Sequence, residues 1–396
     1  MNLEERFINC RDFLKKWQSF LEREPIRKYP NFCPTQIRPW VEELMQKDTT
    51  ELVTFENEFK LNTKIPEFSE LLATIRDLID FPQLSFQSPS LISNKIKEKK
   101  AHEIAQISFL LNEYDQLNLI DIGGGAGHLS ENLIHKRDRF SFCIDQDSNL
   151  HESGRKRILR NHSQNQNKIE FVPLRFNEKA PVFRNNIYLK NLVLGLHACG
   201  DLSADIIHYF QKSQADHLLS VGCCYHKLTS KYNLSKRAQK DGLHLSTNAF
   251  NLAARSYAYQ TSEQLELKIK VREYRYMLHC YLYFLGHREF IPTGQTKLKD
   301  YEMSFSKYAQ KYAGDLIPSL EKTQKYYNQK NNQEMVSEII YTDILRGLFG
   351  RVIEAYIILD RALFLQELGH KLEVLEIFDR KLSPRNLAIY ASSSPS

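Results

Sequence analysis

Apolar residues recur along this chain in two different rhythms. Near the N-terminus, RFINCRDFLKKWQSFLE sets Phe7, Cys10, Phe13, Leu14, Trp17 and Leu21 at spacings that share one helix face,. EFSELLATIRDLIDF repeats the pattern, and Pro30, Pro34 and Pro39 break the segment between the two helices,. FPQLSFQSPSLISN (81–94) reads as a linker or loop, and KIKEKKAHEIAQISFLLNEY resumes a helix with a basic start and an apolar end.

The rhythm then changes. LNLIDI, FSFCID, IEFVPL, LVLGLH and HLLSVG are short, nearly continuous apolar runs separated by polar, helix-compatible stretches. Strands buried on both faces read this way, so the alternation predicts a parallel sheet with helices on both sides. From about residue 230 helical spacing returns in NAFNLAARSYAYQ, EYRYMLHCYLYFLG and EIIYTDILRGLFGRVIEAYIILDRALFLQEL. Within that region QKYYNQKNNQ (324–333) is expected to be a flexible loop, and KLEVLEIFDRKLSPRNLAIYAS closes with two strand-like runs about a Ser-Pro-Arg-Asn turn.

Composition changes the picture little. With 396 residues, 42% hydrophobic and 11% aromatic, the chain can bury a core as one large domain or two ordinary ones,. A net charge of +6 is mild, so clustering matters more. Basic residues gather at Lys95, Lys97, Lys99 and Lys100; at Arg155, Lys156, Arg157 and Arg160; and at Lys227, Lys231, Lys236, Arg237 and Lys240. These groups are either solvated helix faces or a phosphate-binding rim, with Tyr225 and Tyr232 as stacking surfaces. Seven cysteines without framework spacing point to a reducing compartment,. Neither a secretory leader nor a membrane span is visible, and a cytoplasmic or nuclear location is expected.

The first apolar run leads into DIGGGAGHL, four glycines in five positions. A strand, a glycine turn and a helix are the geometry that meets a ligand at its phosphate or amino-acid end. A dinucleotide fingerprint is absent, since the third required glycine is His128. Asp121-x-Gly123-x-Gly125-x-Gly127, with Gly124 inside it, is instead the first motif of class I methyltransferases, which hold S-adenosylmethionine. Asp121 is expected to bind the cofactor's ammonium group, directly or through water. Asp145, followed by Gln146 at the end of the second run, is placed to accept both ribose hydroxyls,. Many such enzymes carry an acid after strand three to hold the adenine amine; Leu174-Arg175-Phe176 stands there instead.

Two further strand ends carry chemistry. The fourth run ends GLHACGDLSAD, with His197, Cys199, Gly200, Asp201 and Asp205; the fifth ends VGCCYHKL, with Cys223, Cys224, Tyr225 and His226. Three readings compete: buried cysteines packing under the cofactor, a zinc site without C-x-x-C spacing, and substrate handling. The last is preferred. It assigns His197, Cys199, Asp201, Cys224, Tyr225 and His226 to catalysis, adds His197 to the cofactor contacts, and expects no metal. A covalent role for Cys199 and Cys224, as in 5-methylcytosine RNA enzymes, is the minor variant because no proline precedes Cys199. The [DN]-P-P-[YF] motif of amino-methyltransferases is absent after strand four.

KKAHE (99–103), DIGGGAGHLS, GLHACGDLS, VGCCYHKL, LDRALFLQELG and IFDRKLSPRNLAIYA together resemble the methyltransferase-like protein 25 family, also named ribosomal RNA adenine dimethylase domain-containing proteins. The strand-four and strand-five motifs are also similar to those of a tRNA 2′-O-methyltransferase family, although Ser203 and Ala204 replace part of that pattern and Tyr225 splits it. The resemblance implies an α/β class I methyltransferase (Rossmann-like) sheet of about seven strands. It also implies S-adenosylmethionine as cofactor and RNA as the leading acceptor, with the methylated atom open. Adenine dimethylation is not implied, since its strand-four motif is missing. The expected organisation is an N-terminal helical region (1–90), the core with strands one to five (95–235), a helical insertion (240–340), and a last helix with strands six and seven (341–396). A protein or small-molecule acceptor, or a cofactor-binding scaffold, is the alternative.

Overall fold

The computed structural model describes residues 2–85, 96–184, 188–229, 232–255, 257–292 and 294–393. Lys95, Lys231 and most of the 81–94 segment therefore lie outside the described residues. The chain groups into two compact units. One comprises Met1–Lys16, Leu78–Ala258 and Gly350–Ser396; the other comprises Trp17–Asp77 and Tyr259–Phe349.

Helices α1 (Leu3–Leu21), α2 (Arg38–Leu44), α3 (Thr49–Glu58) and α4 (Pro66–Ile79) come first. Then α5 (Glu98–Leu110), α6 (His128–Ile134), α7 (Ser148–Asn161), α8 (Leu202–Ser213), α9 (Lys236–Asp241) and α10 (Thr247–Arg255) accompany the strands. After them follow α11 (Ser262–Phe284), α12 (Phe305–Ala313), α13 (Leu320–Tyr327), α14 (Lys330–Gly347) and α15 (Phe349–Glu367). Among the described residues, no helix is long and apolar enough to cross a membrane.

The first unit is built on one seven-stranded sheet. Its strands are β1 (Gln116–Ile122), β2 (Asp138–Asp145), β3 (Ile169–Pro173), β4 (Lys190–Cys199), β5 (His217–Cys223), β6 (Lys371–Glu376) and β7 (Leu387–Ser392). Their order is β3-β2-β1-β4-β5-β7-β6. The first five are parallel, and β7 runs antiparallel between β5 and β6. This is the class I methyltransferase sheet expected from the sequence. β1 buries every residue after Gln116, which is why its run reads as continuous rather than alternating. Leu117, Leu119, Leu192, Leu194, Leu219 and Val221 form the middle of the core, against Ile104 and Ile107 of α5 and Leu129 and Leu133 of α6.

Strand order reverses between β1 and β4, and ligands in such sheets lie beyond the strand ends at that switch point. Two details shape those ends. The β4–β5 register slips between Gly195 and Ala198, and His197 inside the slip has φ +59°. Such an irregularity re-aims a side chain at the cost of ladder pairing. At the opposite edge, the segment read as a linker begins as cover for β6. Leu84 N donates to Glu376 O and Glu376 N to Pro82 O, both at 2.8 Å, so the edge strand is not left open.

The second unit is helical. Trp40 stacks on Phe68 with ring centroids 5.2 Å apart, and Phe68 in turn meets Phe55 edge-on. Asp48 with Glu51 and Thr261 with Gln264 form capping boxes that start α3 and α11, satisfying N–H groups that a helix start leaves without partners. QKYYNQKNNQ is not a loop but the end of α13 and the start of α14. Its polar side chains close the break: Asn332 Nδ2 donates to Tyr326 O at 2.8 Å and Gln333 Nε2 to Tyr327 O at 3.0 Å. Both carbonyls belong to the last turn of α13, where the helical ladder supplies no donor four residues on.

Candidate active site

The glycine turn after β1 is fastened to β2 rather than held open. Gly123 N and Gly124 N donate to Ile144 O at 2.8 and 3.2 Å, and Gly125 N donates to Asp145 Oδ2 at 3.1 Å. Asp145 Oδ1 accepts from Asp147 N at 3.0 Å. Arg157 braces the turn from α7, donating to Ala126 O at 2.9 Å and pairing with buried Glu131 at 2.8 Å. A Cβ on Gly124 would lie 2.6 Å from Cys143 Sγ and 2.7 Å from Asp121 Oδ2; one on Gly127, at φ +71°, would lie 2.9 Å from the Phe171 ring. The bare backbone thus serves the packing of strand, turn and helix as much as the approach of a ligand.

Beyond that turn lies a cleft of about 670 Å³, within the size range of small-molecule sites. Ile122, Gly123 and Ile144 line it at the ends of β1 and β2, with Asp145 and Gln146 beside them. Leu174, Arg175, Phe176 and Asn177 follow β3, and Cys199, Asp201 and Asp205 border it on the β4 side. Asp121 is not on this wall. It sits 2% exposed behind Gly124 and accepts from Ser130 Oγ at 2.6 Å. Burial pushes its carboxyl above the usual range, with the Ser130 bond opposing. Asp121 therefore stands beneath the turn rather than in the cleft.

The β4 and β5 turns converge. Cys199 and Cys223 are register partners, and the sulfurs of Cys199, Cys223 and Cys224 all lie within 4.8 Å of one another. Cys199 Sγ donates to His197 O at 3.5 Å. Its contact with Cys223 holds the Cys199 thiol below the usual range despite burial, and the same contact, with burial, pushes Cys223 up to about 11. His197 Nε2 donates to Glu103 Oε1 at 2.7 Å, and Ser383 Oγ donates to the same oxygen at 2.7 Å. Burial alone would lower the His197 pKa, but its neighbours Cys223 and Glu103 outweigh it and raise it. Glu103 is shifted down because His197, Ser383 and Lys99 outweigh its own burial.

Sequence reasoning gave Glu103 and Ser383 no role, although both stand in quoted motifs, KKAHE and KLSPRN. A Glu beside a His near the start of a helix was the available signal. Asp201 ties the two turns together by accepting from Thr229 N at 3.1 Å and from the Thr229 hydroxyl. His226 is half-buried.

Tyr225 needs correction. It is 1% exposed, and its hydroxyl donates to Glu354 Oε1 at 3.1 Å, so it can neither stack on a base nor reach a substrate. Tyr232 is half-buried, with its hydroxyl 3.1 Å from His244 Nδ1. Two basic groups are also partly committed to the fold. Arg155 lies over the Phe171 ring and Arg157 braces the glycine turn. Arg237 pairs with Asp241 at 3.0 Å and Glu4 at 3.8 Å. Lys227, Lys236 and Lys240 are exposed.

Residues 95–231 match a protein-family model described as a methyltransferase domain. The chain carries a class I methyltransferase domain. Among solved structures, one similar fold is an assigned S-adenosylmethionine-dependent methyltransferase from Methanococcus maripaludis. It is 20% identical over 34% of this chain and 68% of that one, with TM-score 0.24. Another is coclaurine N-methyltransferase bound to N-methylheliamine and SAH, 11% identical over 96% of this chain and 98% of that one, with TM-score 0.28. The assignment rests on the family match and on the methyltransferase domain's own sheet and cleft.

The methyltransferase's cofactor is S-adenosylmethionine, and the donor set fits it. Asp145 presents carboxylate oxygens at the cleft beside Gly123, with only one backbone bond drawn to each oxygen. A carboxylate oxygen has lone pairs for a second donor, which suits ribose hydroxyls. The space in front of Gly123 is open, with nothing within 4 Å of a Cβ built there.

Proposed function

We propose that this methyltransferase acts on RNA. The observation that carries the reading is the meeting of the β4 and β5 turns beside the cleft, with Cys199, Cys223, Cys224 and His197 drawn together. Their sequence pattern is similar to that of a tRNA 2′-O-methyltransferase family, and the resemblance to the methyltransferase-like protein 25 family points to the same substrate class.

Bound S-adenosylmethionine supplies an electrophilic methyl group on a sulfonium. Asp145 and Gln146 orient the ribose from the β2 side, and Asp121 places negative charge under the amino-acid end. Leu174 and Phe176 offer apolar surface to the adenine where an acid is missing. The acceptor then enters from the β4 side, past Cys199 and Asp205. Exposed Lys227, just beyond the β5 turn, supplies positive charge for a backbone phosphate,.

The test is methyl transfer from labelled S-adenosylmethionine to fractionated cellular RNA and protein. Nuclease-sensitive label in RNA is expected. Label confined to protein, or no transfer to either, would overturn the reading. In binding experiments, RNA affinity should fall with salt by roughly 0.7 log units per log unit for each phosphate contact on a single strand. Lys227→Glu with Lys240→Glu should weaken binding and flatten that slope.

A further inference from the structure

The three thiols at the ends of β4 and β5 are brought together by irregular backbone geometry. Cys199 and Cys223 face each other as register partners. Successive residues of a strand point to opposite faces, so Cys224 would ordinarily turn away from Cys223. It does not, because Cys224 adopts φ +46°, a left-handed conformation that side chains other than glycine rarely take. The kink returns its sulfur to within 3.5 Å of Cys223 Sγ. His197, two residues before Cys199, is likewise left-handed at φ +59°. Backbone strain of this kind persists where a site requires it.

The spacing is that of a metal site. Sulfurs held about 2.3 Å from a tetrahedral zinc stand roughly 3.8 Å apart, and all three here lie within 4.8 Å of one another. His197 stands beside this cluster but not within it. His197 borders Cys223, and its Nε2 faces Glu103. A carboxylate only accepts, so Nε2 donates to it. Nδ1 is buried and has no hydrogen-bond partner. Ser383 steadies that carboxylate in turn.

We propose that Cys199, Cys223 and Cys224 bind a soft divalent cation of the zinc class, with a solvent or acceptor ligand at its fourth position,. The ion ties the ends of β4 and β5 together at the edge of the cofactor cleft and releases the thiol protons as it binds. This replaces the metal-free pocket expected from sequence, and it stands whether or not RNA is the acceptor.

The test uses the full chain, stripped with a chelator and reloaded with zinc or cobalt(II). Wild type should take up one equivalent, and the cobalt form should show thiolate-to-metal charge-transfer absorption. Native thiol titration should find three fewer reactive cysteines in the zinc-loaded protein than in the stripped one, a readout that needs no variant. Cys199→Ser, Cys223→Ser and Cys224→Ser should each lose the tight site, whereas Cys33→Ser should keep it. A wild-type chain that binds well under one equivalent and shows no charge-transfer band at saturating cobalt overturns the proposal. So does metal bound equally by the triple serine variant.

Discussion

Gly124→Ala adds one methyl group to the tightest point of the glycine turn. Its Cβ would stand 2.6 Å from Cys143 Sγ and 2.7 Å from Asp121 Oδ2, against about 3.5–4.0 Å for an ordinary contact. Neither neighbour yields easily. Cys143 is 0% exposed in the core, and Asp121 is held by Ser130, which itself accepts from Ser141 at 2.9 Å. The backbone is fixed as well, since Gly124 N is bonded to Ile144 O. Overpacking of this kind costs about 1–3 kcal/mol. Displacing Asp121 also moves the charge under the cofactor; a hydrogen bond to a charged group contributes about 1.5–3 kcal/mol, or roughly ten- to a hundredfold in affinity. Urea unfolding should therefore show lost stability, and calorimetry should show weaker S-adenosylmethionine binding. Gly347→Ala is the control: it lies in α14 with nothing within 4 Å of the new Cβ, and Gly→Ala at such sites stabilises by about 0.4–1 kcal/mol. If Gly124→Ala matches wild type in both assays, the turn has slack that this account denies.

Three further outcomes are expected. Asp145→Ala should weaken S-adenosylmethionine binding by roughly ten- to a hundredfold, and unchanged calorimetric affinity would remove Asp145 from the ribose site. Tyr225→Phe should cost about 1–3 kcal/mol in denaturant unfolding, because it leaves buried Glu354 short of a donor, while cofactor affinity stays the same; a change in affinity without a change in stability would return Tyr225 to the pocket. Burial pushes the Asp360 carboxyl up to about 6 from 3.8, against the opposing bonds from Leu234 and Ser235. The folded state then holds that proton more tightly than the unfolded chain, so stability falls as pH rises from about 4 to 6, by up to about 3 kcal/mol. Asp360→Asn should flatten that part of the profile, and parallel profiles would refute the assignment.

The sheet was legible because buried parallel strands leave runs such as LNLIDI and HLLSVG that few other structures require. The cofactor turn was legible because four of its five positions are glycine. What escaped was what depends on partners distant in the chain. Tyr225 looks exposed until Glu354, more than a hundred residues later, is seen to receive its hydroxyl. Glu103 looks like one more charge on a basic helix until the β4 slip turns His197 toward it. Arg237 looks like a free cation, yet its guanidinium pairs with Asp241 at 3.0 Å and with Glu4, far away in the chain, at 3.8 Å. Local composition carries the strands, whereas side-chain assignments follow from who stands opposite.

The buried link from Tyr225 onward also sets a timetable. Glu354 receives Tyr225 and is bound by Arg351, which holds Asn386 at 2.9 Å and also Glu376, while Ser383 secures Glu103. The segment 95–231 contains the glycine turn and both Cys-bearing turns, yet alone it leaves β5 without its β7 neighbour and the Cys-bearing turn without its support. On the ribosome, the reaction centre cannot be completed until β6 and β7 have emerged. Nascent chains halted before residue 376 should be inert and prone to pair through the bare β5 edge, and a separately supplied α15–β7 piece is the natural rescuer.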